Sequence, residues 1–198
     1  MSGATLHGSR QDPRERLRRI ARGWVARRPV YLDTETTGLG RDDEIVEIAL
    51  LDHDGTALAD LRVKPRKPIP PEATRVHGIG PLEVADAPIW SEVQQDLCAL
   101  LHGRAIVIYN ADFDLRMLMQ TARIHGCPRP PAASAFCAMK LYAEWYGDWN
   151  EFHGSYRWQR LGDAAQQMGL ALPANLHAAS ADAALTRELV RAMAGESG

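Results

Sequence analysis

The sequence has few cysteines and spaces them far apart. Among its 198 residues there are three, Cys98, Cys127 and Cys137, which is an odd number with no CxxC pair. A disulfide framework or a zinc cage needs more cysteines or a closer spacing, so the sequence argues against both. We expect reduced thiols and a cytoplasmic protein.

The chain also lacks a long apolar run and an excess of positive charge. No segment reaches the roughly 18 consecutive apolar residues of a membrane span, and the N-terminus has no apolar core of a secretory signal, so we expect no membrane partner. The formal net charge is -2 at pH 7, whereas proteins that coat nucleic acid are usually strongly basic. Any contact with nucleic acid should therefore be local.

The length and the 45% hydrophobic content suffice for one compact domain and are too small for two ordinary ones. We expect a loose tail over residues 1–12, followed by an amphipathic helix over 13–28 with a basic outer face. Together they form an N-terminal region, 1–28, ahead of a single domain, 29–198. We expect the helix to pack through its apolar stripe; the alternative is a contact with nucleic acid.

Alternating and helical apolar patterns predict a mixed α/β domain. A first strand over 30–35 is followed by an antiparallel hairpin, and a buried strand occurs later in the chain. The hairpin strands span 45–52 and 57–64, and the buried strand spans 105–109. Helices are predicted over 89–101, 112–125, 137–146, 160–168 and 179–194, with proline-rich connectors at 65–71 and 128–131.

Two carboxylates stand at the end of the first predicted strand, in Asp33-Thr34-Glu35-Thr36-Thr37-Gly38-Leu39. Residues two apart in a strand point to the same face, so Asp33 and Glu35 would lie side by side. Such like charges repel, and a divalent cation between them would relieve the repulsion. The alternative is a solvent-facing pair on an edge strand.

A second acidic group, Asn110-Ala111-Asp112-Phe113-Asp114, directly follows the buried strand and opens a helix. Ligand sites in α/β folds form where strands end and helices begin, so Asp114 can reach the same space as Asp33. The alternative is helix capping, for which the Asn110 or Asp112 side chain would serve.

A third group, His177-Ala178-Ala179-Ser180-Ala181-Asp182, lies at the start of the last helix. Small residues around Asp182 allow this helix to approach the sheet closely. A lone histidine is usually structural, but His177 stands five positions before a carboxylate, which favours a functional interpretation.

Four carboxylates and one histidine are what a two-metal phosphoryl-transfer site requires. Oxygen ligands suit hard ions such as Mg²⁺ or Mn²⁺, and they disfavour zinc relative to a Cys/His site. Histidine titrates near neutral pH and can accept the proton of an attacking water.

In their order and form, these segments resemble the motifs of the DnaQ-like 3′-to-5′ exonucleases of the DEDD superfamily. The His-x-Ala-x-x-Asp-Ala form of the third segment is similar to that of the DEDDh branch, which has a histidine base. By this resemblance Asp33, Glu35, Asp114 and Asp182 are metal ligands, and His177 is the general base. Arg75-Val76-His77-Gly78-Ile79 resembles a further family element, and the resemblance spans about 30–193.

The resemblance implies a ribonuclease-H-like α/β fold, with a five-stranded mixed sheet flanked by helices. It implies two divalent cations, Mg²⁺ or Mn²⁺, and release of nucleoside 5′-monophosphates from the 3′ end of a nucleic acid. We expect single-stranded DNA to be favoured, with RNA also open. The substrate-binding residues would be Thr36, Thr37, Gly38, Leu39, His77, Ile79 and Asn110.

Two features depart from the family pattern. Tyr109 stands where many relatives have histidine before Asn110. The segment 142–158 is rich in aromatic residues around a polar loop; we expect most of them to pack in the core, and the alternative is that some stack on the bases of a single strand.

Two other functions remain open at this stage. The chain could be a proofreading, epsilon-like subunit bound to a DNA polymerase, but it ends at Gly198 soon after its last predicted helix, which favours a free-standing nuclease. It could also be a non-catalytic nucleic-acid-binding adaptor on the same fold. Because all five catalytic positions are filled, we expect an active enzyme.

Overall fold

A five-stranded mixed sheet with helices on both faces forms the centre of the protein. The computed structural model describes residues 13–130 and 134–196. The helices are α1 (Pro13–Val25), α2 (Pro71–His77), α3 (Trp90–Leu101), α4 (Ala111–Ile124), α5 (Ala138–Tyr146), α6 (Leu161–Gln167) and α7 (Ala179–Ala194). The strands are β1 (Val30–Thr36), β2 (Ile45–Leu51), β3 (Ala57–Arg62), β4 (Ala105–Ile108), β5 (Ser134–Cys137), β6 (Trp149–Asn150) and β7 (Ser155–Tyr156).

The strand order in the main sheet is β3-β2-β1-β4-β5, with β1 at the centre. β1, β2 and β3 pair antiparallel, as the predicted hairpin requires, whereas β4 runs parallel to β1 and β5 runs parallel to β4. This is the predicted mixed sheet flanked by helices.

The side chains of β1 alternate between two hydrophobic layers, as the pleat of a strand requires. Val30 and Leu32 pack in a cluster with α3 and α4, whereas Tyr31 packs in a cluster with α1, α5, α6 and α7. Ile106 and Val107 of β4 divide in the same way. Every odd position of β1 therefore faces the α7 layer, and every even position faces the α4 layer.

The N-terminal helix packs through its apolar stripe, as predicted. Leu17 and Ala21 of α1 are buried in the cluster on the α7 face. Arg22 Nε donates a 2.8 Å hydrogen bond to the backbone oxygen of Ala194, at the end of α7. The tail expected over residues 1–12 lies outside the described residues.

Some elements differ from the sequence-based prediction. α2 was not predicted, because its seven residues follow a proline-rich stretch that reads only as a break in the sheet. β5 and the small β6–β7 hairpin were also missed, since strands of two to four residues are too short to show a period. α1 ends at Val25 instead of Arg28. Within the described part of the chain, no helix is both long and apolar enough to cross a membrane.

A buried carboxylate joins three segments beside the sheet. The Glu44 side chain is 2% exposed and lies 2.8 Å from Nε2 of His125, whose side chain is 1% exposed. Its oxygens also accept hydrogen bonds of 3.0 to 3.1 Å from the backbone nitrogens of Arg66 and Lys67. Glu44 thus ties the start of β2 to the segment after β3 and to the end of α4.

Replacing Glu44 with alanine should destabilise the protein strongly, because three donors would lose their acceptor. We expect the free energy of unfolding to fall by about 3 kcal/mol, the scale for breaking a buried pair. Urea unfolding would measure this. The matched control is Asp42→Ala, since the Asp42 side chain is 89% exposed and lies 3.7 Å from Arg123; its loss should stay below about 0.5 kcal/mol. Equal losses in the two variants would contradict this account.

Candidate active site

The C-terminal half of β1 carries the first two predicted catalytic carboxylates. Asp33 and Glu35 occupy odd positions of the strand and so lie on the face that packs against α7. Glu35 pairs across the sheet with Glu47 of β2, and Asp33 pairs with Ala49. Two carboxylates side by side therefore point into the α7 layer at the end of a buried strand.

Asp114 enters the same region from α4, on the other face of the sheet. Its Oδ1 accepts a 2.7 Å hydrogen bond from Oγ1 of Thr34, which lies between Asp33 and Glu35 in β1. Asp114 is buried in the first turn of the helix. Thr34 is a positioning contact that the sequence analysis missed, because a threonine in a strand gives no signal of its own.

The start of α4 is not capped in the way the sequence suggested. Asn110 occupies the N-cap position, but its side chain makes no capping hydrogen bond. Its backbone oxygen instead accepts from the nitrogens of Phe113 and Asp114. Asp112 is exposed and pairs with Lys140 at 2.7 Å. Side-chain capping by either residue, the alternative reading of this segment, is therefore wrong.

His177 and Asp182 flank the start of α7. The His177 backbone has φ +70, a left-handed conformation that is uncommon for a residue other than glycine. Its backbone nitrogen donates to Asp182 Oδ1 at 3.3 Å, and its Nδ1 lies 3.9 Å from Asp182 Oδ2. One ligand atom from each of Glu35, His177 and Asp182 lies within 4.8 Å of the other two.

The electrostatics show how closely the four carboxylates converge. Burial, followed by the nearby charges of Asp114, Glu35 and Asp182, raises the pKa of Asp33 well above its ordinary value. Burial and the same kind of repulsion, led by Asp182, raise the pKa of Glu35 to about 8. Burial also raises the pKa values of Asp114 and Asp182. The site therefore holds more negative charge than its surroundings stabilise.

Glu47 is a fifth carboxylate beside this site and was not predicted from the sequence. Its Oε2 accepts a 2.8 Å hydrogen bond from the backbone nitrogen of Ala179, the first residue of α7. Its Oε1 lies 3.7 Å from Nε of Arg62 on β3. The available signal was an acidic residue within the otherwise apolar Ile45–Leu51 strand, all of which is buried.

The last residue of β1, Thr36, and the loop that follows it contain four of the predicted substrate-binding residues. Thr37 donates from Oγ1 to Asp43 Oδ1 at 2.8 Å, and Thr36 donates from Oγ1 to the Gly38 backbone oxygen at 2.9 Å. A Cβ on Gly38 would lie 2.7 Å from Asp43 Oδ2, so glycine makes room for that carboxylate. Leu39, in contrast, is 79% exposed and projects from the loop.

His77 and Ile79 lie beside this loop in different environments. His77 Nδ1 accepts from the Ile79 nitrogen at 3.0 Å, which leaves Nε2 to donate to the Thr36 backbone oxygen at 3.2 Å. Ile79 is 2% exposed and packs with Val46 and Ile69. Its side chain therefore has little free surface for a nucleotide.

The aromatic segment 142–158 is more exposed than expected. Tyr142 and Trp145 are buried and Tyr156 is partly buried, but the other four large rings are exposed. The exposed rings are Tyr146, Trp149, Phe152 and Trp158. The expectation that most of these aromatics pack in the core is wrong, and the polar loop forms the β6–β7 hairpin, which is separate from the main sheet.

A cavity elsewhere in the protein is not the site of this chemistry. It encloses about 840 Å³ and is lined by residues such as Ala105, Leu118 and Ser134. Ala105 and Ser134 begin β4 and β5, whereas Asp33 and Glu35 lie in the C-terminal half of β1 and Asp114 follows the C-terminal end of β4. The convergence of charged groups locates the active site better than cavity size does.

Sequence comparison gives the family directly. The profile of the exonuclease family RNase_T matches residues 30–190. An uncharacterized exonuclease, CP81 of Escherichia phage 186, is 42% identical over 180 residues, which cover 88% of this chain and 92% of that protein. The DNA polymerase III subunit epsilon of Pasteurella multocida is 34% identical over 98 residues, and the matched part spans 39% of that subunit.

Solved structures agree on the fold. Exonuclease X in complex with 5′ overhanging duplex DNA is 26% identical, with a TM-score of 0.58 over 83% of this chain and 91% of that one. The nuclease domain of 3′hExo, a DEDDh family member bound to rAMP, has a TM-score of 0.63 at 15% identity, over 81% of this chain and 88% of that one.

These findings confirm the predicted ribonuclease-H-like fold and the resemblance on which it was based. The likeness to DEDDh-type exonucleases implies the use of a divalent metal. The chain belongs to the exonuclease family RNase_T and resembles its DnaQ-like, DEDDh-type members.

Proposed function

We propose that this chain is a 3′-to-5′ exonuclease that hydrolyses the terminal phosphodiester bond of a nucleic acid and releases nucleoside 5′-monophosphates. The observation that carries the proposal is the convergence of Asp33, Glu35, Asp114 and Asp182, with His177 at the rim. We propose that residues 29–198 form the exonuclease domain that contains this site, with α1 packed against it.

The donor set fits two divalent cations, Mg²⁺ or Mn²⁺. Crowded carboxylates whose pKa values are raised by burial and mutual repulsion form a site that a divalent ion would stabilise. Asp33, Glu35, Asp114 and Asp182 would hold the ions through oxygen, the donor that hard cations prefer. When bound, the ions would activate the attacking water and stabilise the leaving 3′ oxygen.

His177 is placed to act as the general base. Its side chain is exposed, and Nδ1 faces Asp182 Oδ2 at 3.9 Å. Nε2 would be the ring nitrogen that takes a proton from water, since Nδ1 faces the Asp182 carboxylate. The strained backbone at φ +70 is of the kind that persists where the surrounding structure fixes a functional residue.

The 3′-terminal nucleotide would bind against the loop after β1. The exposed Leu39 would contact the base, and the backbone of Thr36, Thr37 and Gly38 would follow the sugar and phosphate. His77, at the end of α2, and Asn110, just before α4, would contribute from neighbouring segments. Ile79 would contribute only by packing against Val46 and Ile69. Single-stranded DNA is the proposed substrate, with RNA as the alternative, and the three free cysteines fit a cytoplasmic enzyme.

A polymerase partner is a second candidate role. The support is the similarity to epsilon subunits, although this chain matches only part of the Pasteurella subunit. A stoichiometric polymerase recovered with the tagged chain would favour that role. Failure of the pure chain to degrade any oligonucleotide would instead favour a non-catalytic adaptor.

The decisive assay is digestion of 5′-labelled DNA and RNA oligonucleotides, single- and double-stranded, by the pure chain. We expect a ladder that shortens from the 3′ end with Mg²⁺ or Mn²⁺, no products with chelator, and protection by a blocked 3′ end. Cleavage of the blocked substrate would contradict the proposed polarity.

Substitution of the acidic residues should separate catalysis from folding. Asp33→Asn, Asp114→Asn and Asp182→Asn should each nearly abolish turnover while the melting temperature stays equal or rises, because each removes a like charge from a crowded site. Initial rates and thermal melting of the same preparations would measure both. A variant that kept the full rate would remove that residue from the metal-binding set.

Loss of the His177 ring should cost roughly 10²-fold in rate, the scale of general-base catalysis. Two replacements are informative: alanine removes the ring, and asparagine removes the base while tolerating the left-handed backbone. His102→Ala, at the exposed end of α3, is the matched control. If His177→Asn kept the full rate at neutral pH, another group would be the base.

The crowded carboxylates predict a pH-dependent stability in the metal-free protein. Between the ordinary pKa of 4.5 and about 8, native Glu35 keeps a proton that the unfolded chain has lost, so its contribution to stability falls as pH rises. Glu35→Gln should therefore lose less melting temperature than the wild type between pH 6 and 8 in chelator. Glu72→Gln, at an exposed position of α2, should behave like the wild type. The prediction would be refuted if the melting temperature fell equally between pH 6 and 8 in all three proteins.

The exposed aromatic hairpin supports binding of a single strand, since aromatic rings stack on bases. Phe152 is 90% exposed and Trp149 is 47% exposed. Replacing both with alanine should weaken binding of a 20-nucleotide DNA strand by at least roughly 30-fold, given about 1 to 3 kcal/mol for each stacked base. Met119→Ala, an exposed apolar position on α4, serves as the control in fluorescence anisotropy with chelator. Unchanged affinity would dispose of the stacking interaction.

A further inference from the structure

α7 carries Asp182 but has no side-chain cap of its own. Its N-cap residue is Ala178, which offers no side-chain acceptor, and no capping hydrogen bond is formed there. A helix start normally satisfies its first backbone nitrogens through a serine, threonine, aspartate or asparagine at this position. The acceptor for the first nitrogen of α7 must therefore come from elsewhere.

Glu47 supplies that acceptor from the sheet. Its Oε2 lies 2.8 Å from the Ala179 nitrogen in a buried contact, and the residue as a whole is 9% exposed. The strand register sets the position of this side chain, because Glu35, Glu47 and Arg62 are paired in one row across β1, β2 and β3. A carboxylate at a helix start also interacts favourably with the helix dipole.

Along the chain, the contact falls between two proposed catalytic residues, His177 just before α7 and Asp182 in its first turn. Ala179 is two residues after His177 and three before Asp182, and the Asp182 side chain itself accepts from the His177 nitrogen. Fixing Ala179 to β2 therefore fixes both residues relative to Asp33 and Glu35 on the adjacent strand.

We propose that Glu47 is a positioning residue that caps α7 from β2. By this contact it fixes His177 and Asp182 at a set distance from the carboxylates of β1. This inference rests on the proposed nuclease function. Glu47 acts through the hydrogen bond to Ala179 and not as a metal ligand, so the property that matters is a side-chain oxygen at this place.

The test compares Glu47→Ala with Glu47→Gln. A misplacement of about 1 Å can cost roughly 10²-fold in rate, so we expect Glu47→Ala to lower kcat by roughly 10- to 100-fold with KM changed by less than about threefold. Glu47→Gln keeps an oxygen that can accept from Ala179 and should stay within about threefold of the wild type. If Glu47→Gln and Glu47→Ala lowered kcat equally, the charge of Glu47 would be what matters, and the capping proposal would be overturned.

Arg187 provides a matched control, because it holds the same helix at a position remote from the site. Arg187 Nε donates a 2.8 Å hydrogen bond to the His53 backbone oxygen, about 12 Å along α7 from Ala179. Arg187→Ala should lower the melting temperature by a few degrees, as Glu47→Ala should, but leave kcat unchanged. An equal fall in kcat for both variants would reduce Glu47 to a general stabiliser of α7.

Hydrogen exchange separates failure of this inference from failure of the proposed function. Glu47→Ala should speed exchange of the amides over 177–182 at least roughly 10-fold relative to the wild type, whereas Glu47→Gln and Arg187→Ala should not. This measurement needs no activity, so an inactive wild type would refute the nuclease proposal alone. Unchanged exchange in Glu47→Ala would overturn the capping role, whatever the wild-type rate.

Discussion

The repulsion among Asp33, Glu35, Asp114 and Asp182 is the constraint around which this protein is arranged. Buried carboxylates resist ionisation, and like charges nearby increase that resistance, as the raised pKa of Asp33 shows. A fold built only for stability would place apolar side chains at the end of its central strand. The rigid layers on both sides of β1 are what keep these groups together at that cost.

The division of β1 between two layers explains how residues from distant segments meet. Odd positions bring Asp33 and Glu35 to the α7 face, and Thr34 at the even position between them holds Asp114 of α4 by a hydrogen bond. One strand thus connects the proposed metal ligands from both faces of the sheet. His177, with its left-handed backbone, lies at the exposed rim, where we propose that it acts as the base.

The sequence allowed much of this to be predicted, for identifiable reasons. The long amphipathic helices and apolar strands carry strong periods, and three acidic motifs in order indicated the family. Glu47 and Thr34 escaped notice because their roles depend on cross-strand register and on a helix start, which no local pattern encodes. The exposure of Phe152 was missed for a related reason, since an aromatic-rich segment without clear periodicity does not reveal which rings face solvent.

The attachment of α1 to the end of α7 affects how the catalytic unit should be delimited. The family match begins at residue 30, yet Leu17 and Ala21 fill the same hydrophobic layer as Leu189 and Met193. A shortened protein designed to start at the match would expose that layer and remove the Arg22 contact to Ala194. Any minimal nuclease made from this chain should therefore retain residues 13–25, although they contain none of the proposed metal ligands.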